Sequence, residues 1–131
     1  MKHPPVRPVR VEETLLPLLR REYQDRGVVF GSLRDRGNLE RECVLVADPQ
    51  GMATPVSQYV RVRVSVIVRR LDGSGDFIEA QHLAADIIHT ITETGGGGPV
   101  ISAALDSGPV RQEEDGLVFA YAVLLLQART Q

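Results

Sequence analysis

A single cysteine, Cys43, leaves this 131-residue chain without a partner for an internal disulfide and removes the signature of a cysteine-stapled secreted scaffold. Its neighbours Val44, Leu45 and Val46 mark it as a small buried side chain rather than a nucleophile. No stretch approaches the roughly 18 apolar residues that a bilayer-spanning helix needs. Leu117–Leu126, nearly unbroken in its apolar character, is too short and carries no catalytic group. Behind Met1-Lys2-His3-Pro4-Pro5 there is no apolar segment, so no signal peptide is expected and the chain is expected to be made and kept, or assembled, in a cytosol. The formal net charge of −2 lacks the basic excess that broad nucleic-acid affinity requires. No Gly-x-Ser-x-Gly elbow occurs, and the acid pairs Glu12-Glu13 and Glu113-Glu114 fall in helix-start and loop contexts that give no acid–base geometry. Neither an enzyme nor a cofactor is expected.

What is present is an ordinary globular composition, 43% hydrophobic and 24% charged, of a length suited to one domain. Residues 1–10 hold three prolines and Lys2, Arg7 and Arg10, which predicts an extended N-terminal arm ahead of a single domain over 11–131. From about Glu12 to Arg26 the spacing is helical. Leu15, Leu16, Leu18, Leu19 and Tyr23 share one side, with Thr14 as N-cap if Pro17 lies in the first turn, or a kink at Pro17 otherwise, and Gly27 as C-cap. Val28–Phe30 and Cys43–Ala47 read as strands separated by the charged loop Arg34–Glu42. Asp48-Pro49-Gln50-Gly51 carries turn chemistry, and with Met52–Ser57 it predicts a loop of about ten residues, a candidate contact surface.

Tyr59–Arg70 gives the clearest strand signal. Val60, Val62, Val64, Val66 and Val68 alternate with Tyr59, Arg61, Arg63, Ser65, Ile67 and Arg69, so a period of two sends valines to one face and arginines to the other. Asp72–Gly75 turns the chain into a second helix, about Asp76 to Thr94, whose Phe77, Ala80, Ala84, Ile87, Ile88 and Ile91 form a core-facing stripe. Val100–Leu105 and Leu117–Ala128 are expected as the last two strands, joined by a polar connection over Asp106–Gly116. The pattern predicts an α+β fold: an antiparallel or mixed sheet of four to five strands, with both helices packed on one face.

Two constellations invite chemistry. His82, Asp86 and His89 at i, i+4, i+7 share a helical face on which zinc could bind, but such a face is far more often simply solvated, and nothing in the sequence supplies walls or supporting partners. Gly95–Gly98 follows a helix rather than preceding one, and Pro99-Val100 stands where a phosphate loop needs Lys-Ser or Lys-Thr, so it reads as a flexible connection. No metal site is expected.

The closing strand is apolar on both sides. Phe119, Tyr121, Val123 and Leu125 point one way, and Ala120, Ala122, Leu124 and Leu126 the other. Helices on one face shelter one set, so the second set is expected to need a partner, which argues for oligomerisation.

With these elements in order, the chain resembles the tail terminator (tail completion) proteins of long-tailed bacteriophages. The resemblance covers roughly residues 11–128: the helix opening Glu12-Glu13-Thr14-Leu15-Leu16, the strand Val60–Val68, the helix Ile78–Ile91, Ser107-Gly108-Pro109, and Leu117–Leu126 with Arg129 just after. It implies a structural subunit that forms a hexameric ring on the finished tail tube, stops tube growth, and offers the surface to which the head's neck docks. The implied partners are further copies of the chain, the tail tube protein and a head-completion (neck) protein; genomic DNA passes through the ring without specific binding, and no membrane is involved. The implied location is the tail and neck of the virion, reached from the host cytoplasm during assembly. On this resemblance the outer sheet face (Tyr59, Arg61, Arg63, Ile67, Arg69, with Phe119 and Tyr121) and the loop bearing Gln50 and Met52 are expected to contact neighbouring subunits or the tube. An arginine-lined pore would grip DNA, so Arg61, Arg63 and Arg69 are expected at subunit contacts instead. The alternatives are a head-completion or neck connector protein of similar size and a small protein-binding adaptor.

Overall fold

The computed structural model describes residues 10–33, 39–50, 57–94 and 100–129, with the backbone alone at 49, 50 and 94. The expected arm, apart from Arg10, the glycine run and most of the 48–57 loop, Met52 included, lie outside the described residues.

The elements run α1 (Glu12–Glu22), a single 3₁₀ turn (Gln24–Arg26), β1 (Val29–Gly31), β2 (Arg41–Gln50), β3 (Ser57–Val68), α2 (Phe77–Thr94), β4 (Val100–Glu114) and β5 (Leu117–Arg129). The fold is α+β, with five strands in the order β1-β2-β3-β5-β4. The sheet is mixed: β1 pairs parallel to β2, and every other neighbouring pair is antiparallel. Strands β3 and β4 therefore run parallel, linked through α2, and β5 enters the gap between them. That central place gives the backbone of Leu117–Leu126 a paired neighbour on each side.

Helix α1 is stopped and started differently from its sequence pattern. Its N-cap is Val11, not Thr14, and Pro17 sits inside the helix. Pro17 and Glu13 are both exposed, so the carbonyl deprived of its partner lies on the wet side and the helix continues. Val11, Leu15, Leu19 and Tyr23 are buried on the opposite side, while Leu16 and Leu18 are half-buried. The Tyr23 hydroxyl lies 2.9 Å from Thr90 Oγ1 and ties the end of α1 to α2. Gly27, at φ +65°, follows the 3₁₀ turn in the left-handed region that glycine tolerates.

The strands are longer than their apolar cores. β2 continues through Asp48, Pro49 and Gln50, which pair with Arg61, Val60 and Tyr59, so residues 48–50 of the expected turn are strand. Only residues 42–44 of β2 pair with β1, and among the described residues its later stretch has no neighbour on that side, so a proline's missing N–H costs no ladder bond. The expected polar connection Asp106–Gly116 is also strand: β4 runs to Glu114, and Asp115-Gly116, at φ 52° and 79°, forms a two-residue turn. Register shifts around Leu105–Val110 absorb Ser107-Gly108-Pro109 as an irregularity within the strand. A side chain at Gly108 would meet the backbone of Tyr121 and Ala122, which makes glycine necessary at that close approach.

Both helices cover one face of the sheet. Val60, Val62, Val64, Val66 and Val68 of β3 join Cys43 and Leu45 of β2 and Ala120, Ala122, Leu124 and Leu126 of β5 beneath Leu15, Leu19, Ile87 and Ile91. Each fully buried aliphatic side chain contributes about 1.5–3 kcal/mol relative to exposure, so this face dominates the stability. α2 begins where Asp76 accepts from the Glu79 amide through Oδ1 at 3.2 Å.

Candidate assembly surface

The outer face is built by the other parity of the same strands. Arg61 of β3 stands opposite Asp48 and Leu125, Arg63 opposite Val46 and Val123, and Ser65 opposite Val44 and Tyr121. None of the described helices lies over these residues, yet the face is not uniformly open. It has a closed end and an open end.

At the closed end, Ile67, Leu117 and Phe119 form a second, small cluster with half-buried Tyr121 against it. Ile67 is 2% exposed and Phe119 9%. The far end of the β4–β5 hairpin contributes to this closure: Glu114, from the strand at the sheet's edge, lines a cavity of about 170 Å³ with Val44, Ser65, Ile67 and Phe119. Arg69 is buried nearby, donating through Nη1 to the Leu39 carbonyl at 2.6 Å, with Glu42 Oε1 at 3.9 Å. The side chains of Arg69 and Glu42 are 6% and 2% exposed, so the charges share a low-dielectric site where losing either would be costly. The turn that follows is exposed over Leu71–Ser74 and is held by its own hydrogen bonds. Asp72 Oδ1 accepts from the Ser74 hydroxyl at 2.6 Å and its amide at 2.9 Å, and the same two bonds hold its carboxyl below the usual carboxylate range. Gly75 then packs against the backbone of Val118 with no room for a side chain.

At the open end the face is wet, basic and partly apolar. Tyr59 is 51% exposed and Leu125 40%. Arg63 donates from Nε to Asp48 Oδ2 at 2.9 Å, a half-exposed pair of modest worth. Arg61 and Arg129 are exposed and form no ion pair with another described residue.

The residues expected at contacts thus divide. Tyr59, Arg61 and Arg63 lie on the open surface, and Tyr121 is half-buried between the two ends. Ile67, Arg69 and Phe119 are interior to the chain itself: Ile67 and Phe119 pack with Leu117 and Tyr121, and Arg69 is held at the Leu39 carbonyl. Gln50 belongs to β2, and Met52 lies outside the described residues. The premise that the whole second set of β5 needs a partner is corrected in the same way: Val123 and Phe119 are buried within the chain, and Leu125 is the member left exposed. Leu125 and Arg129 belong to the open surface as fully as Tyr59. Their alternation with the buried Leu124 and Ala128 is the signal that identifies them.

Elsewhere, His82, Asp86 and His89 are exposed on α2, and Asp86 is engaged by Arg26 at 3.2 Å. Among the described residues no group of three or more His, Cys, Asp or Glu is gathered to hold a metal ion. Burial pushes the Cys43 thiol far above its ordinary range, with the neighbouring Glu42 carboxylate adding to the effect, which suits a packing role. Between α2 and the β4 edge an open groove of about 430 Å³ is lined by Ala85, Ile88, His89, Thr92, Leu105 and Pro109. Gln81 Nε2 donates to the Pro109 carbonyl at 3.2 Å near its end. None of the described helices is long and apolar enough to cross a membrane.

Comparison with protein-family models and with curated proteins finds no match to this chain.

Proposed function

We propose that this chain is a structural subunit that assembles as a ring, of six copies by its resemblance to tail terminator proteins, capping the tail tube of a long-tailed bacteriophage. In that role it ends tube growth, offers the docking surface for the neck, and resides in the virion after assembly in the host cytoplasm. The observation that carries the reading is the open end of the outer sheet face. There a rigid sheet presents exposed Tyr59 and Leu125 beside Arg61 and Arg129. Aromatic and arginine side chains flanked by apolar area are the usual composition of a contact centre. Rigid presentation on strands lowers the ordering cost of binding. Function as a cap requires no reacting group, only shape and charge held in place by the core beneath.

The test is direct imaging of purified tail tube protein polymerised with and without this chain. Tubes of restricted length bearing an added ring at one end are the expected result. Unaltered tube lengths with bare ends would overturn the proposal.

A further inference from the structure

The outer face is electrically bipolar, and its two ends are too far apart to satisfy each other. Arg61 and Arg129 lie at the open end, while Glu114 and Asp115 lie at the tip of the β4–β5 hairpin. Along β5 the hairpin tip pairs at Leu117 and Arg61 pairs at Leu125. Eight residues of strand separate these rows by about 25 Å, well beyond any direct ion pair. The other charges nearby are already engaged: Arg63 with Asp48 at 2.9 Å, and Arg111 with Glu113 at 3.9 Å. Arg61, Arg129, Glu114 and Asp115 form no ion pair with another described residue.

Building on the ring reading above, we propose that adjacent copies join head to tail through these ends. Glu114 and Asp115 on the hairpin tip of one copy meet Arg61 and Arg129 on the open end of the next, and Tyr59 and Leu125 are buried between them. The occupant of the open end is therefore a second copy of this chain. Charge complementarity supplies the orientation, since each end repels its own kind. The exposed area of Tyr59 and Leu125 supplies the apolar burial that an ion pair alone would lack. A head-to-tail contact uses two different patches and generates a closed ring when the rotation closes. A two-fold contact would have to lay both ends of two faces against each other at once. The hairpin end, where Glu114 lines a cavity with Val44 and Ser65, interrupts the flat surface which that arrangement requires.

Two charge-reversed variants of the full chain test the proposal: Arg61→Glu with Arg129→Glu, and Glu114→Arg with Asp115→Arg. All four positions are exposed, so both variants are expected to fold, with Asp115→Arg lowering the melting temperature slightly because its φ of 52° suits aspartate better than arginine; circular dichroism and thermal melting check this. Each variant alone is expected to lose ring formation at least tenfold, in solution by sedimentation and at tube ends by imaging. An equimolar mixture is expected to recover rings, because alternating copies again bring opposite charges together at every contact. If each variant forms rings alone as well as wild type does, this contact is overturned while the capping reading stands. If wild type itself never associates, in solution or on tubes, the contact and the capping reading fall together. A discrete two-chain species in place of a ring would overturn the head-to-tail geometry.

Discussion

The two faces of one sheet reach burial by different routes. On the helix side, five valines of β3 and the even-numbered residues of β5 meet α1 and α2, and burial is continuous from Val60 to Val68. On the outer side none of the described helices lies over the strands, and the Ile67, Leu117 and Phe119 cluster buries one end while the other end stays open. The lesson is that an apolar set on a second face is not by itself a vacant interface. What a twisted sheet and a long hairpin can fold over belongs to the core, and only the remainder is available to a partner.

The comparison can be broken at the closed end first. Arg69→Met keeps length and apolar packing but leaves Glu42 in a buried site without the arginine's charge. It is expected to cost about 3–5 kcal/mol in urea unfolding, and adding Glu42→Leu is expected to recover most of it. If Arg69→Met unfolds like wild type, the closed end is not an energetic unit.

A pair of adjacent leucines contrasts the faces themselves. Leu124 is fully buried beneath the helices, and Leu125 next to it is 40% exposed. Leu124→Ala is expected to destabilise by about 2–5 kcal/mol. Leu125→Ala is expected to stay within about 0.5 kcal/mol of wild type while weakening association of copies. Equal losses from both would erase the distinction between the faces.

The smallest effect concerns the exposed turn that follows β3. Hydrogen bonds from Ser74 hold the Asp72 carboxyl below its ordinary range. A depressed folded-state value stabilises above the unfolded carboxylate value, and the gain is lost as pH falls through the depressed value. The difference in urea midpoint between wild type and Asp72→Ala is therefore expected to be small near neutrality and to shrink further in acid. A difference that grows on acidification would contradict the sign.

Much of this architecture is legible in the residues. The alternation from Tyr59 to Arg69 places valines and arginines on opposite faces, and the stripe Ala80, Ala84, Ile87, Ile91 identifies the buried side of α2. Errors arise where polar residues lie in strands. Asp106–Glu114 reads as a connection because acidic and small residues dominate it, yet backbone pairing with β5 needs no apolar side chain. Asp115-Gly116 is a recognisable two-residue turn signal, hidden by the charges before it. Pro49 reads as a turn because its tolerance in β2 depends on where β1 stops.

At the candidate surface, parity along β3 and β5 identifies the outer face, but parity cannot separate Ile67 and Phe119, which are buried, from Tyr59 and Leu125, which are exposed. Local sequence alone determined the helix and strand periods, the two-sided apolar character of β5, and the absence of a second cysteine, because each of these is a property of neighbouring residues. Only the tertiary structure decided that β5 lies between β3 and β4, that Ile67, Leu117 and Phe119 bury one end of the outer face, and that charges of opposite sign with no ion pair among the described residues stand at its two extremes. Those outcomes depend on strand order and twist, which bring together residues more than 40 positions apart, and no local pattern encodes such distances.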